Sequence, residues 1–401
     1  MARSGSVRSH RVELQGNSAL AAVATLLAVA FGFSTLITPL YVIYQQSFGF
    51  SQITLTLIYA AYAIGNIVAL LLFGHVSDRV GRRPAALSAI VTLVIAALVF
   101  LFAKGVAALY IGRVLSGLGI GIASGTSNAW LVELVGKGDK TRAAIVGTTS
   151  NFLGLGAASL LSGLLAEHGP WPLHLSFVVY LCILGAAAAM IWFTQETMQD
   201  GDASRLEIRP KLSLPREIRV RFVAPAITGF GLMALVGFYA ALMPSILSQD
   251  LNIRNHAAAG ALLFELATVV AVVIVTTRAL ASRSSMIWSL ALMIPAAAAV
   301  AAAQIYGSLW VLLMTTALVA VSVGLGYRGS LQVVNQIAPA DERAAVVSGY
   351  FICCFTGNAL PVIGVGVLAS FTSMTVANVA FSCTIASFAI VALVFGLAHR
   401  R

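Results

Sequence analysis

The chain has 401 residues, of which 59% are hydrophobic and only 9% charged; its mean hydropathy is +0.95 and its formal net charge +10. Soluble domains carry about 25% charged residues, so this composition excludes a soluble domain and predicts a polytopic membrane protein. The four cysteines lie within apolar segments and lack metal-ligand spacing, so neither disulfides nor a zinc site is expected.

Membrane-spanning helices need about 20 apolar residues each. The first 16 residues are polar and basic, and the apolar stretch behind them is too long for a signal peptide, so we expect Met1 to begin the mature protein. Segments of spanning length then follow one another to the end of the chain. Spans are predicted at 18–44, 53–75, 85–103, 107–134, 143–166, 174–194, 222–247, 257–280, 285–303, 308–334, 344–369 and 374–398.

The longest polar interruption divides the chain almost in half. It is rich in Asp, Glu and Arg and predicts a linker over 195–221. The predicted organisation is a tail at 1–17, a six-helix bundle at 18–194, the linker, and a second six-helix bundle at 222–401.

Three short matches relate the two halves. Thr38-Pro-Leu corresponds to Met243-Pro-Ser, Arg142-Ala-Ala-Ile-Val to Arg343-Ala-Ala-Val-Val, and Gly163-Leu-Leu-Ala to Gly366-Val-Leu-Ala. Their common order and nearly constant offset favour duplication. Transporters built from parallel repeats bind substrate between the halves, so these matches predict a site there.

The basic residues fall almost entirely on one side of the predicted topology. With an inside N-terminus, only Lys104 and Arg254 lie in outside loops, and Arg113 and Arg328 lie within spans. The other Lys and Arg residues face the cytoplasm, as the positive-inside rule requires. The basic excess therefore reflects topology, with both termini cytoplasmic in a bacterial inner membrane, and indicates no nucleic-acid partner.

The most specific motif lies between the second and third spans. It reads Gly74-His-Val-Ser-Asp78-Arg79-Val-Gly81-Arg82-Arg83. An ordinary basic turn would explain the arginines, but not the Gly and Asp spacing. The motif resembles the loop 2–3 motif of the major facilitator superfamily, of the twelve-helix, drug-efflux-like type.

That resemblance implies an all-α membrane fold with two pseudo-symmetric six-helix bundles. It also implies a charge-linked group that holds neighbouring cytoplasmic helix ends together and favours the outward-facing state. We call this group the latch. The C-terminal counterpart near Arg278 and Arg283 lacks the Asp and the glycines, so an asymmetric latch is expected. The predicted latch residues are Gly74, Asp78, Arg79, Gly81, Arg82 and Arg83, with Glu133 and Arg142 as partners.

The fourth span supplies a second resemblance. Its segment Arg113-Val-Leu-Ser-Gly117-Leu-Gly119 resembles the family's Arg-x-x-x-Gly-x-Gly pattern. A charged side chain this deep costs at least ~2.5 kcal/mol unless it faces a cavity or a partner, which favours a cavity role over snorkelling. Gly117, Gly121 and Gly125 form a small-residue ridge typical of helix packing.

Glu265 is the only carboxylate deep within a span. It lies roughly 12 Å into a core of about 30 Å, where the neutral form of a carboxyl is favoured. This position predicts a proton carrier; a structural pair with an arginine or hydroxyl is the alternative.

Weakly polar residues predict the faces of a substrate cavity. One cation among hydroxyls and amides suits a neutral or amphipathic organic molecule better than a polyanion. The cavity candidates are Arg113, Ser34, Thr38, Tyr41, Gln45, Tyr59, Tyr62, Asn66, Asn151, Tyr239 and Asn358.

The sequence therefore predicts a secondary active transporter of a small organic molecule that works by alternating access, with proton-coupled efflux. Uptake of a metabolite, by symport or uniport, is the alternative. The fifth span has Ala158-Ser159 where drug exporters of the family carry Gly-Pro, which leaves the direction open. No enzymatic motif, metal or cofactor is expected. The expected partners are the substrate, protons and membrane lipid, and the expected state is a monomer.

Overall fold

The computed structural model describes residues 13–73, 77–136, 139–198, 214–249, 251–339 and 342–398. In this part of the chain, 12 helices are long and apolar enough to cross a membrane, as predicted. They are α1 (Gly16–Phe48), α2 (Gln52–Phe73), α3 (Arg82–Leu101), α4 (Val106–Val135), α5 (Lys140–His168), α6 (Leu175–Trp192), α7 (Arg219–Gln249), α8 (His256–Thr276), α9 (Ser282–Tyr306), α10 (Leu309–Ile337), α11 (Arg343–Phe371) and α12 (Met374–Ala398).

Successive helices run in opposite directions, because most of the connections are short. The α2–α3 and α4–α5 connections therefore lie at one end of the bundle, which we call the latch end. The α1–α2, α5–α6 and α7–α8 connections lie at the other end, which we call the distal end. Much of the predicted linker falls outside the described residues. α7 begins at Arg219, so its first residues overlap the end of the linker predicted over 195–221.

A 3₁₀ turn interrupts α1 at Thr38–Leu40. Pro39 has no N–H to donate and lies within this turn, so the helix tightens locally before it continues to Phe48. The corresponding Pro244 lies inside a continuous α7. The two halves therefore differ at one of their matched sequences.

Packing nevertheless repeats between the halves. Gly154 of α5 lies against the backbone of Ala28 in α1, and Gly357 of α11 lies against the backbone of Phe230 in α7. A pair of arginines repeats in the same way: Arg83 donates to the carbonyl of Thr194 after α6, and Arg283 donates to that of Gly396 in α12. Each second member lies about 200 residues after the first, as expected after duplication.

Glycines also set the crossing of α2 and α4. Gly65 lies against the backbone of Val114, and Gly117 lies against the backbone of Tyr62. Gly121 contacts Ala69, whereas a Cβ on Gly125 would have no atom within 4 Å. The predicted small-residue ridge is therefore a packing surface at Gly117 and Gly121 but not at Gly125.

The two halves meet mainly along α5 with α8 and along α2 with α11. Small residues dominate the first contact: Gly156 lies beside Ala267, and Gly260 lies against the backbone of Ser159. At the distal end, the Glu167 carboxylate at the end of α5 accepts a hydrogen bond of 2.7 Å from the backbone N–H of His256, the first residue of α8. The halves are thus closed on each other at the distal end.

We expect Gly117→Ala to lower the stability of the folded protein by about 1–3 kcal/mol, because the added Cβ overlaps the Tyr62 carbonyl. Gly125→Ala is the matched control and should leave stability unchanged or slightly higher, since alanine is the better helix former. Thermal unfolding in detergent measures both variants. Equal Tm values for the two would contradict the packing assignment.

Candidate functional site

The latch is centred on Arg82, the first residue of α3, which is 4% exposed. Its guanidinium pairs with Glu133 near the end of α4: Nη2 lies 2.6 Å from Oε1, and Nε lies 3.2 Å from both carboxylate oxygens. Nη1 lies 2.6 Å from Asp78 Oδ1 and also donates to Ser77 Oγ. This charged fork fastens α3 to α4 and to the short helix Ser77–Val80.

Glu196 completes the latch, and sequence reasoning missed it. Its carboxylate accepts hydrogen bonds from the backbone N–H groups of Arg82 and Arg83 at 2.9 and 2.8 Å. It therefore caps the first turn of α3, where the helix dipole favours negative charge. The residue lies in the segment predicted as linker, and only its position just after the sixth span could have signalled this role.

Gly81 precedes α3 with φ +97°, a conformation that strongly favours glycine. This backbone geometry turns the chain so that the first N–H groups of α3 reach Glu196. The backbone conformation at this position therefore accounts for Gly81 in the motif.

The other predicted latch residues are placed differently. Arg83 bonds the Thr194 carbonyl and lies 3.3 Å from Glu13. Arg142 donates to Asn17 at 3.3 Å and is not bonded to the Arg82 fork. Arg79 is half-buried in the short helix, and Gly74 lies outside the described residues.

A second group lies midway through the bundle and consists of Arg113, Tyr59, Tyr62 and Asn358. We call it the central cluster. Arg113 is 0% exposed and donates to the backbone carbonyls of Ser34, at 2.8 Å, and Tyr59, at 3.2 Å. Its guanidinium carbon lies 5.3 Å from the centre of the Tyr59 ring and 4.7 Å from that of Tyr62. The cation is thus held by carbonyls and ring faces.

The central cluster joins the two halves. The hydroxyls of Tyr59 and Tyr62 on α2 both donate to Oδ1 of Asn358 on α11, at 2.7 and 2.6 Å. Asn358 Nδ2 in turn donates to the Met233 carbonyl of α7 at 3.1 Å. Three of the predicted cavity residues, from the two halves of the chain, therefore meet at the Asn358 oxygen, and the fourth, Arg113, lies over the two tyrosine rings.

The remaining cavity candidates are spread around this cluster. Tyr41, Thr38 and Asn66 are buried, and within the described structure their side-chain polar atoms have no hydrogen-bond partner. Tyr239 accepts from Thr316 at 3.1 Å on α10, and Asn151 is half-buried on α5. The structure places these two residues outside the contacts of the central cluster. The Ser34 hydroxyl bonds its own helix at Phe31.

Gln45 lies instead beside a cavity of about 610 Å³ at the distal end. The walls come from both halves and include Pro39 on α1, Pro244 on α7, and Arg254 and His256 before and at the start of α8. No pattern in the sequence predicted this cavity, because its walls come from helix ends and a connection.

Glu265 lies half-buried on α8. Its Oε2 is buried and accepts no hydrogen bond from any described residue; the same holds for Oγ1 of Thr268, one turn further along. Glu265 therefore lies beside the contact between the halves, since α8 packs along α5. The described residues contain no group of three or more His, Cys, Asp or Glu that could hold a metal ion.

A sequence model of the Major Facilitator Superfamily matches residues 23–362. The chain belongs to this superfamily. It is accordingly a multi-pass membrane protein of a transporter family, as the loop 2–3 motif predicted.

Relatives within the superfamily differ in what their names say they carry. The chain is 27% identical over 217 residues to a hexuronate transporter of Bacillus subtilis, covering 51% of the chain and 50% of that protein. It is 25% identical over 194 residues to the class C tetracycline resistance protein of Escherichia coli, covering 48% of each. The matches span about half the length of these relatives.

The fold is also that of solved members of the superfamily. The crystal structure of a D-xylose-proton symporter superimposes with a TM-score of 0.77 at 16% identity, covering 94% of this chain and 97% of that one. This likeness confirms the predicted fold of twelve helices in two bundles.

We expect Arg82→Lys to destabilise the latch end, because an ammonium cannot reproduce the two-pronged contact with Glu133. A double-mutant cycle with Glu133→Gln should give a coupling energy of about 1–3 kcal/mol in thermal or denaturant unfolding. Arg216→Lys, on an exposed residue at the same end, is the matched control. Additive effects of the Arg82 and Glu133 changes would show that the pairing of the two side chains does not stabilise the folded protein.

Proposed function

We propose that this protein is a secondary active transporter that moves a small organic molecule across the bacterial inner membrane by alternating access, in exchange for protons. Membership of the superfamily supports transport. The central cluster supports a substrate site between the halves, because its groups come from α2, α4 and α11. The proposed working unit is a monomer in the bilayer.

The hydrogen bonds described between the halves support a particular conformation. They lie at the central cluster and at the distal end, where Glu167 caps α8. The fork of Arg82, by contrast, bonds within the first half. With the latch end in the cytoplasm, as the positive-inside rule predicts, these contacts favour a state closed toward the outside, whereas the resemblance implies that a formed latch favours the outward-facing state. Access from outside then requires these polar contacts to break.

The unpartnered oxygen of Glu265 is the observation that supports proton coupling most directly. In a low-dielectric interior, a buried oxygen without a partner favours the neutral carboxyl, and the charged form requires water or a cation. Because α8 packs on α5 of the other half, a change in protonation alters the free energy of closing that contact. Proton binding is thereby linked to the choice between the two access states.

We expect Glu265→Gln to abolish substrate-dependent proton movement in proteoliposomes, because an amide cannot exchange the proton. An internal pH dye reports the movement while lipophilic cations, neutral drugs and organic acids are added in turn. Glu217→Gln, an exposed change at the latch end, is the matched control and should behave as wild type.

Exchange of labelled substrate across the membrane should survive Glu265→Gln, since it needs no net proton transfer. A variant that still drives proton movement would rule out Glu265 as the carrier.

The proposed direction is efflux, and uptake is the alternative. The relatives include both a hexuronate transporter and a tetracycline resistance protein, so they do not choose between the two. For a compound that moves protons in liposomes, cells producing the protein should retain less of it than cells producing Glu265→Gln. Higher retention by the wild type would reverse the direction and leave the transport mechanism in place.

A further inference from the structure

The central cluster contains almost only hydrogen-bond donors. A guanidinium has five N–H donors and no acceptor, and both tyrosines use their hydroxyls as donors here. The hydroxyl of Tyr41, another predicted cavity residue, is buried without a partner among the described residues. The two tyrosine hydroxyls share a single acceptor, Oδ1 of Asn358, whereas the guanidinium donates to the backbone carbonyls of Ser34 and Tyr59.

The cluster also carries an uncompensated positive charge. None of the ion pairs formed by the described residues includes Arg113, although its side chain is fully buried. Its Nε is buried and bonds no described residue. Two carbonyls and two ring faces hold the cation in place, but they do not neutralise it. A buried charge without a counter-ion is costly, so an anion would bind here more favourably than a neutral group.

Asn358 reaches this place from the other half of the protein. Its amide oxygen can bind both phenols, but it brings no charge to Arg113. A carboxylate is an acceptor-only group with two oxygens and one negative charge, and so matches both the donors and the cation. The positive charge of Arg113 would repel a lipophilic cation. An alcohol would add another hydrogen-bond donor to a cluster that already has several.

We propose that Arg113, Tyr59 and Tyr62 form the binding site for the carboxylate of an organic monoanion, and that Asn358 occupies this site in the conformation closed at the distal end. The proposal rests on the transport function proposed above and names its substrate class. It replaces the expectation of a neutral substrate. The single cation, Arg113, can neutralise one carboxylate, so a polyanion remains disfavoured.

The same atoms explain how binding and conformation exclude each other. The phenols cannot bind both Asn358 and a carboxylate, so the anion binds when α11 has moved away from α2. Closure at the distal end returns Asn358 to the phenols and displaces the anion toward the latch end. A carboxylate carried in this way would move inward, which is the alternative to the efflux proposed above. The substrate thus competes with a contact between the halves, which is a requirement for a ligand that shifts a conformational equilibrium.

The first experiment tests the site without any added ligand. Asn358→Asp places a carboxylate on the phenols but loses the hydrogen bond to the Met233 carbonyl, so the Tm of the purified protein should stay close to that of wild type, whereas Asn358→Leu should lower it clearly. If Asn358→Asp lowers Tm as much as Asn358→Leu does, the site does not accept a carboxylate and the proposal fails. Asn335→Asp, on an exposed residue of α10, controls for the added charge.

The second experiment uses added probes. Glucuronate, benzoate and lactate are each compared with an uncharged analogue, namely glucose, benzamide and lactamide, for their effect on Tm and for proton movement in liposomes. At least one carboxylate should bind at least tenfold more tightly than its neutral partner. Tyr62→Phe should weaken that binding about tenfold, since a hydrogen bond to a charged group is lost.

Arg113→Gln should abolish carboxylate binding, and Arg113→Lys should restore part of it. Tyr306→Phe, on a largely exposed ring at the distal end, is the matched control and should bind as wild type. If Arg113→Gln does not fold, Tyr62→Phe and Asn358→Asp decide the matter alone.

The outcomes separate this inference from the proposed function. Transport of neutral or cationic compounds, with carboxylates inert, would overturn the carboxylate site and leave the transporter intact. Carboxylate binding that is unchanged in Tyr62→Phe and Asn358→Asp would also overturn it. If carboxylates bind through these residues but no compound moves protons or crosses the membrane, the site stands and the proposed transport fails.

Discussion

The close approach of helix backbones at glycine is the constraint on which the rest of this structure depends. Lipid supplies no hydrophobic force between helices, so association relies on tight packing and on polar contacts. Gly117 and Gly65 bring the backbones of α2 and α4 together, and this contact sets Arg113 beside the rings of Tyr59 and Tyr62. Gly357 does the same for α11 and α7, and so positions the adjacent Asn358.

Polar groups could then be placed within the membrane at low cost, because the packed backbones provide their partners. Arg113 finds two backbone carbonyls, and Asn358 finds the carbonyl of Met233. Some polar groups nevertheless lack a complete set of partners. The cation of Arg113, the phenol of Tyr41 and one carboxyl oxygen on α8 remain without full compensation inside the described structure. In a protein that must open and close, such groups are where ligands, protons and the opposite half can compete.

Much of this architecture was predictable from the sequence. Hydropathy located all twelve spans because each must satisfy its own backbone hydrogen bonds in lipid. Helix ends were less predictable: the span predicted to end at 280 stops at Thr276, because Arg328 bonds the carbonyls of Arg278 and Leu280 in a turn beyond it. The partnership of Arg82 with Glu133 was foreseen from the motif, but the cap by Glu196 was not, since no local pattern marks a carboxylate that acts from a distant segment.

The four residues of the central cluster were all among the predicted cavity candidates, but their contacts were not predictable. The hydrogen bonds of Tyr59 and Tyr62 to one amide oxygen of Asn358, and the position of Arg113 over their rings, depend on helix rotation and depth. Those quantities follow from glycine packing across the bundle rather than from the periodicity of any one helix. The sequence predicted a neutral or amphipathic substrate, whereas the structure led to the proposal of an organic monoanion. The sequence shows that Arg113 lies in a span, but it does not show whether a carboxylate of the chain pairs with it.

The small residues between α5 and α8 have a consequence for the speed of the conformational cycle. At Gly156, Gly260, Ser159 and Ala267 the two backbones approach closely, with only small side chains between them. Two halves turning against each other along such a contact meet little friction, since few rotamers must change as they move. The energetic barrier to reorientation is then concentrated in a handful of polar bonds, which makes turnover adjustable by single substitutions far more than by remodelling the hydrophobic core.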